Sequence, residues 1–456
     1  MNAAARAAHR LGERLSSGPL RIVRRMGARL SWGRVYRTVS YSRSALWIVP
    51  LLAIALVLLL APLLRAVDAW LDWNMTGLDV EGAQALFQTV ITLTLSFLVF
   101  IFGSLLVAIQ VAGGQLTPRI IATTLLRDNV VRYSVGLFVF TLVLAVVSLN
   151  RLHGHVYQLV VLITALAGIA CLTNFLFFVD YAARLLRPVS ILTRVGENGL
   201  GVIYTVYPRL LDASGDDATP ADVGVPRREL VHDGASEVVL AADVPTLLAE
   251  ARSSGGVIEL VPRVGDFLAW GQVLFRLYEG AASIPDRRLK AAVAFGPERT
   301  LEQDPMFAFR ILVDIGLKAL SPAINDPTTA VLALDQVHRL LREVGRRCLA
   351  GDAVCDRDGA VRVIVRTPDW DDFVHMACNE MRACGASSVQ VARRMAAMLD
   401  EIVQALPEAR HAAVRRERGL LDRAIEAAYA FEEDRQLARV PDMQGLGGGA
   451  SAARAS

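Results

Sequence analysis

Charge is missing from two long stretches of this 456-residue chain: no Asp, Glu, Lys or Arg occurs from Ala45 to Leu64 or from Gly82 to Pro118. At about 1.5 Å per residue each run is long enough to cross the roughly 30 Å hydrocarbon core of a bilayer, so an ordinary soluble fold is excluded for this part. Lysine is almost absent, with Lys290 and Lys318 the only two, and arginine takes the basic positions. Cysteine is sparse. Cys171, Cys348, Cys355, Cys378 and Cys384 form no CxxC pair, which excludes a disulfide framework and leaves reduced structural thiols. Histidine is scattered; His153 and His155 share a short loop but lack a third ligand, so a zinc site is not expected. No GxxxxGK[ST], HExxH or GxSxG occurs. No catalytic constellation, metal or cofactor is therefore expected, and the chain does not read as an enzyme. No cleavable signal peptide is visible either, because the first apolar stretch is too long for one.

What is present is unevenly distributed. Hydrophobic residues make up 54% of the chain, and the surplus lies between Ala45 and Asp180. Four spans are expected: Ala45 to Leu64, one within Gly82 to Pro118, Tyr133 to Leu149, and Tyr157 to Val179. The second run exceeds one crossing, so its helix must tilt, protrude or break at Gly113-Gly114. The segment between spans one and two carries Asp68, Asp72, Asp79 and Glu81 against Arg65, while the next carries Arg119, Arg127 and Arg132 against Asp128. Arg184, Arg187 and Arg194 follow span four, and ten arginines against Glu13 precede span one. Every segment with several basic residues falls on one side, which places both termini in the cytoplasm. The basic leader reads as a partner for anionic lipid headgroups, not for nucleic acid.

The expected fold class is an α-helical membrane domain of four transmembrane helices plus an α+β cytoplasmic domain with a small β-barrel-like module. The divisions are a basic leader (1–44), the membrane domain (45–180), a connector and mobile loop (181–227), the β module (228–280), a mostly helical α+β domain (281–438) and a disordered tail (439–456). In the β module Asp243 is an N-cap, Val257–Val261 and Val273–Tyr278 are strands, and Gly265 and Gly271 mark turns. No lysine occurs there, which excludes a swinging-arm carrier. Asp304-Pro305 and Asp326-Pro327 each set a carboxylate at N-cap and proline at N1, predicting helices over 305–320 and 327–346. Val361–Arg366 is a strand.

Span two is the most informative helix. Thr89, Thr92, Ser96, Gly103, Gln110 and Gly114 fall within a sector of about 60° when placed at 100° per residue. Such a small and polar stripe either admits a close neighbouring helix or faces water in a pore. Thinner stripes occur on span three (Ser134, Thr141, Ser148) and span four (Thr164, Gly168, Cys171), and they favour packing. Gln110, deep in the run, needs a partner or water. The absence of charge in the span cores argues against an ion-coupled transporter.

Gln110-Val-Ala-Gly-Gly-Gln115-Leu-Thr-Pro118-Arg119, followed by Arg127-Asp128, resembles the signature after the second span in a bacterial family of predicted membrane proteins, domain of unknown function number 2254. Leu320-Ser321-Pro322-Ala-Ile-Asn325-Asp326-Pro327-Thr-Thr-Ala330 resembles its second signature. Leu116-Thr117 departs from it, since the family more often has an aromatic and a serine there. The resemblance implies a topology for roughly residues 40–435 and no established activity. Two functions then stand open: a homo-oligomeric channel lined by span two, or a membrane-anchored sensor or scaffold whose cytoplasmic domain binds a protein or small ligand.

Overall fold

The computed structural model describes residues 32–33, 36, 38, 42, 45–71, 77–115, 128–152, 156–185, 187–211, 223–349 and 353–447. The chain divides into two compact units, Tyr41–Ile191 and Leu192 onward together with the N-terminal leader.

The first unit holds the four apolar helices: α1 (Ile48–Leu71), α2 (Val80–Gln115), α3 (Asn129–Leu149) and α4 (Gln158–Leu185). Each is long and apolar enough to cross a membrane. At 36 residues α2 is some 54 Å long and runs through Gly113-Gly114 without a break. Carboxylates fix the ends of these helices. Asp79 accepts a bond from Gly82 N at 2.8 Å, and Asp128 caps α3 by accepting from Val130 N and Val131 N. Asp68, at the end of α1, accepts from Leu159 N at 2.7 Å and so caps α4 across the bundle. Carboxylates at helix N-termini match the dipole and satisfy orphan donors.

Small residues let these helices approach, since lipid supplies no hydrophobic drive between them. A Cβ on Gly136 of α3 would lie 2.6 Å from Val49 Cγ1 of α1, and one on Gly168 of α4 would lie 3.1 Å from Val90 Cγ2 of α2. The two thinner stripes pack in the same way. Ser134 bonds Asn174, the Cys171 thiol meets the Thr141 hydroxyl at 3.2 Å, and Thr164 returns its hydroxyl to Val160 O. Phe97 stacks on Phe175 with centroids 4.2 Å apart and leans on Phe138.

In the second unit, α5 (Pro188–Val206) is helical where sequence reading expected a connector. A Cβ on its Gly199 would lie 2.9 Å from Ala308 Cβ and 3.1 Å from Leu340 Cδ1, so glycine is what lets this helix pack there. The strands are β1 (Arg228–Val231), β2 (Glu237–Ala242), β3 (Val257–Leu260), β4 (Phe267–Leu268), β5 (Val273–Tyr278), β6 (Val293–Gly296), β7 (Ala353–Cys355) and β8 (Val361–Val365). They make two open sheets, one ordered β1-β5-β3-β8-β7 and the other β4-β2-β6. The barrel-like module expected for 228–280 is not formed among the described residues. The reason is that β3 pairs in parallel with β8, Ile258 opposite Val363, and so opens the edge a closed barrel would have to seal. Gly265 (φ +96) and Gly271 (φ +82) do turn the chain as expected, in a conformation that glycine alone adopts at no steric cost. Helix α6 (Val244–Ser254), capped by Asp243, covers the apolar face formed by Ile258, Phe275, Leu277 and Val363.

Helices α7 (Asp286–Ala291), α8 (Pro305–Ala319), α9 (Pro327–Gly345), α10 (Trp370–Gly385), α11 (Val389–Ala405), α12 (His411–Ala428) and α13 (Glu432–Arg439) complete the unit. Residues 440–447, assigned to the tail on composition, cross α11. The buried Arg393 donates to Val440 O and Gly447 O, each at 3.0 Å. Two leader residues also belong to this unit: Trp32 stacks on Tyr36, and both pack on Val238, Leu240, Ala241 and Ala294 of the three-stranded sheet.

Candidate functional site

Among the described residues, helix α2 is buried along one face. Ala83, Phe87, Val90, Thr94, Phe97, Leu98, Ile101, Leu105 and Ala108 are buried there against the other membrane helices. The stripe lies on the opposite side. Thr89, Thr92, Ser96, Gly103, Gln110 and Gly114 are all exposed, and nothing lies within 4 Å of a Cβ built on Gly103 or Gly114. Among the described residues, packing within one chain does not account for these six residues. The structure brings them together on one outward face.

Their polar atoms differ in how they are satisfied. Thr89 donates to Ala85 O at 2.8 Å, Thr92 to Gln88 O at 2.9 Å, and Ser96 to Thr92 O at 2.8 Å. These hydroxyls need no outside partner. Gln110 has a full amide, two donors and one carbonyl, directed away from the packed face. Around it the outward surface is apolar, with Leu106, Val107 and Val111 exposed.

Inside the bundle there is a small cavity, lined by Ala61, Arg65, Phe87, Ser148, Arg151 and Tyr157 among others. All of these belong to one end of the four helices, far in sequence along α2 from Gln110.

The first signature is only partly visible. Gln115 ends α2, while Pro118 and Arg119 lie outside the described residues. Asp128 is the cap of α3, and it also accepts a bond from the Tyr181 hydroxyl of α4. Its role is to join two helix ends, a link that α4 alone did not announce.

The second signature is a helix joint. Asn325 adopts φ +48, a left-handed conformation that Asn tolerates better than most residues. Ser321 closes the turn, its carbonyl accepting from Asn325 N at 2.8 Å and its hydroxyl donating to Lys318 O. Both Asp326 oxygens are taken by Thr329, one by the backbone N–H and one by the hydroxyl. Pro327 is the first residue of α9, and Pro322 is exposed in the turn. A carboxylate so occupied is a helix cap.

Two groups that sequence reading missed are buried titratable clusters. Asp304 caps α8 through Phe307 N, and burial pushes its carboxyl up to about 6 with Arg299 3.8 Å away. The Asp-Pro signal located this residue but said nothing of its burial. On α9, His338 accepts from Arg394 of α11 at 3.1 Å and faces Glu401 at 3.5 Å, and its basicity is lowered by burial and by Arg394. Arg394 also donates to Asp335 at 2.7 Å. Helical spacing alone does not pair residues on two helices. Among the described residues no group of His, Cys, Asp and Glu has the arrangement of a metal site.

A family model described as predicted membrane protein (DUF2254) matches residues 43–401. The chain belongs to this family. Two of its relatives are uncharacterised proteins of Mycobacterium bovis and Mycobacterium tuberculosis. Each is 25% identical over 419 residues, covering 88% of this chain and 80% of the relative. No solved structure matches the chain. For this DUF2254 protein the matched range takes in all four membrane helices and the Ser321–Pro327 joint, and it ends within α11.

Proposed function

We propose that the protein is a homo-oligomeric conduit of the bacterial inner membrane, lined by the outward face of α2 and assembled or gated by its second unit. The observation that carries this reading is the position of the stripe diametrically opposite the packed face of the same helix. Outward faces meet lipid or another subunit. Toward lipid, glycines and an unpartnered amide gain nothing that leucine would not supply better, and the Gln110 amide is costly. Toward a second copy, Gly103 and Gly114 admit close approach, and several Gln110 amides around an axis hydrate or bond one another. Both termini are assigned to the cytoplasm because the multiply basic segments share one side.

A second reading, an anchored scaffold, draws on the hydroxyls. Thr89, Thr92 and Ser96 already bond their own backbone, which suits dry helix contacts between copies as well as a wet path. Ion flux separates the two. Purified protein in liposomes is expected to pass ions under voltage, pH or tension steps, and Gln110→Leu to change that flux. No flux from the native chain under any of these steps would discard the conduit and leave the scaffold.

A further inference from the structure

Two arginines of the membrane unit come from different connections and meet at one cavity. Arg65 is the first charged residue after the uncharged run of α1, and Arg151 lies in the turn just after α3 ends at Leu149. Both line the small cavity at this end of the bundle. Among the described residues neither guanidinium forms an ion pair. Arg65 Nε donates to Ala61 O at 3.1 Å, a carbonyl of its own helix, and the Arg151 side chain makes no hydrogen bond. Carboxylates at the same helix ends serve as caps: Asp68 accepts from Leu159 N and Asp79 from Gly82 N. Arg184, at the opposite end of the bundle, does have an acid, pairing with Asp180 one turn earlier on α4.

A guanidinium stays charged at any working pH and presents five N–H donors. Two of them at one cavity repel each other, and much of the remaining wall is apolar, with Phe87, Val160 and Val161. Such a site is completed by an anion. Arginine's planar fork fits the paired oxygens of a phosphate, which a lysine would meet only as a point charge. The position selects the source. Both residues sit where an uncharged stretch of a membrane helix gives way to charge, the level at which lipid phosphates lie. Basic pockets between membrane helices take lipid headgroups.

We propose that Arg65 and Arg151 form a phosphate site between α1 and the end of α3, filled by the phosphodiester of an anionic lipid headgroup. The site rests on the four-helix bundle and not on a path along α2. The test follows the thermal midpoint of the full chain, delipidated in detergent, as phosphatidylglycerol or inorganic phosphate is added. The native chain is expected to gain several degrees with the lipid. Arg65→Gln together with Arg151→Gln is expected to raise the half-saturating lipid concentration at least about tenfold. Arg184→Gln, which removes a paired arginine at the other end, should leave that concentration unchanged. Without lipid the double variant should melt no lower than native, because it relieves a repulsion and breaks no ion pair. A lower midpoint there, or a failure to fold, would make the arginines structural and overturn the site. A gain from inorganic phosphate that is lost with the same two arginines keeps the site and makes free phosphate its source. A gain that survives the double variant, or is lost equally with Arg184→Gln, would overturn it, since general attraction between acidic lipid and a basic protein would then suffice. No gain from either ligand would overturn it as well.

Discussion

Helices α1 and α2 have similar hydropathy and opposite surfaces. The outward face of α1 presents Leu51, Leu52, Leu56, Leu58, Leu59 and Leu63, with no hydroxyl or amide side chain from Ile48 to Leu71. That of α2 mixes Leu93, Leu95, Val99 and Phe102 with the line from Thr89 to Gly114. Both helices are apolar enough to span, so hydropathy does not distinguish them. What distinguishes them is where the small and polar side chains point. On α3 and α4 most such residues face inward and meet neighbours, as Gly136 meets Val49 and Thr141 meets Cys171, with Thr173 of α4 an exposed exception. On α2 the six stripe residues face outward, and among the described residues no neighbouring helix covers them. A stripe is informative only once the packed face of its own helix is known.

Substitutions that exchange inward and outward positions would break this contrast or sharpen it. The largest effect on the fold is expected from Gly136→Leu, whose Cβ alone would lie 2.6 Å from Val49 Cγ1. Overpacking of this kind costs about 3 kcal/mol, read as a lower thermal midpoint of the detergent-solubilised chain. An unchanged midpoint would mean that α1 and α3 do not meet there. Asp68→Ala removes the acceptor of Leu159 N and leaves the start of α4 uncapped. A loss of about 1 kcal/mol is expected, typical of an N-cap, by the same melting measurement. Gly103→Leu fills open space, so the monomer midpoint should stay within about 0.5 kcal/mol of native while the sedimenting species becomes smaller. A drop like that of Gly136→Leu would place the stripe inside the chain. Leu56→Ala on α1 should do least, changing neither midpoint nor assembly, and a loss of assembly there would move the subunit contact from α2 to α1.

Much of this was legible in the sequence because it rests on local rules. Four apolar runs, two Asp-Pro helix starts and the turns at Gly265 and Gly271 each depend on residues close in sequence. The two Asp-Pro helices end within a residue of their expected bounds, and three of the membrane helices extend a few residues beyond their uncharged cores. The six stripe residues were likewise legible as a group, since helical periodicity alone puts them on one side. What was not legible depends on distant partners. The barrel failed because β3 pairs with β8, about a hundred positions away, which no local pattern of 228–280 contains. Residues 440–447 looked like tail by composition, and it is Arg393 on another element that holds them. Whether the stripe faced inward or outward could not be read from α2, because that depends on Val90 meeting Gly168 and Phe97 meeting Phe175.

The central claim, that copies of this chain meet along α2, is tested most directly by cross-linking in native membranes. Ser96→Cys and Leu56→Cys are each placed in a chain whose own five cysteines are replaced, and both are oxidised under the same conditions. The account predicts covalent dimers from position 96 and none from position 56. Dimers from position 56 with none from position 96 would contradict it.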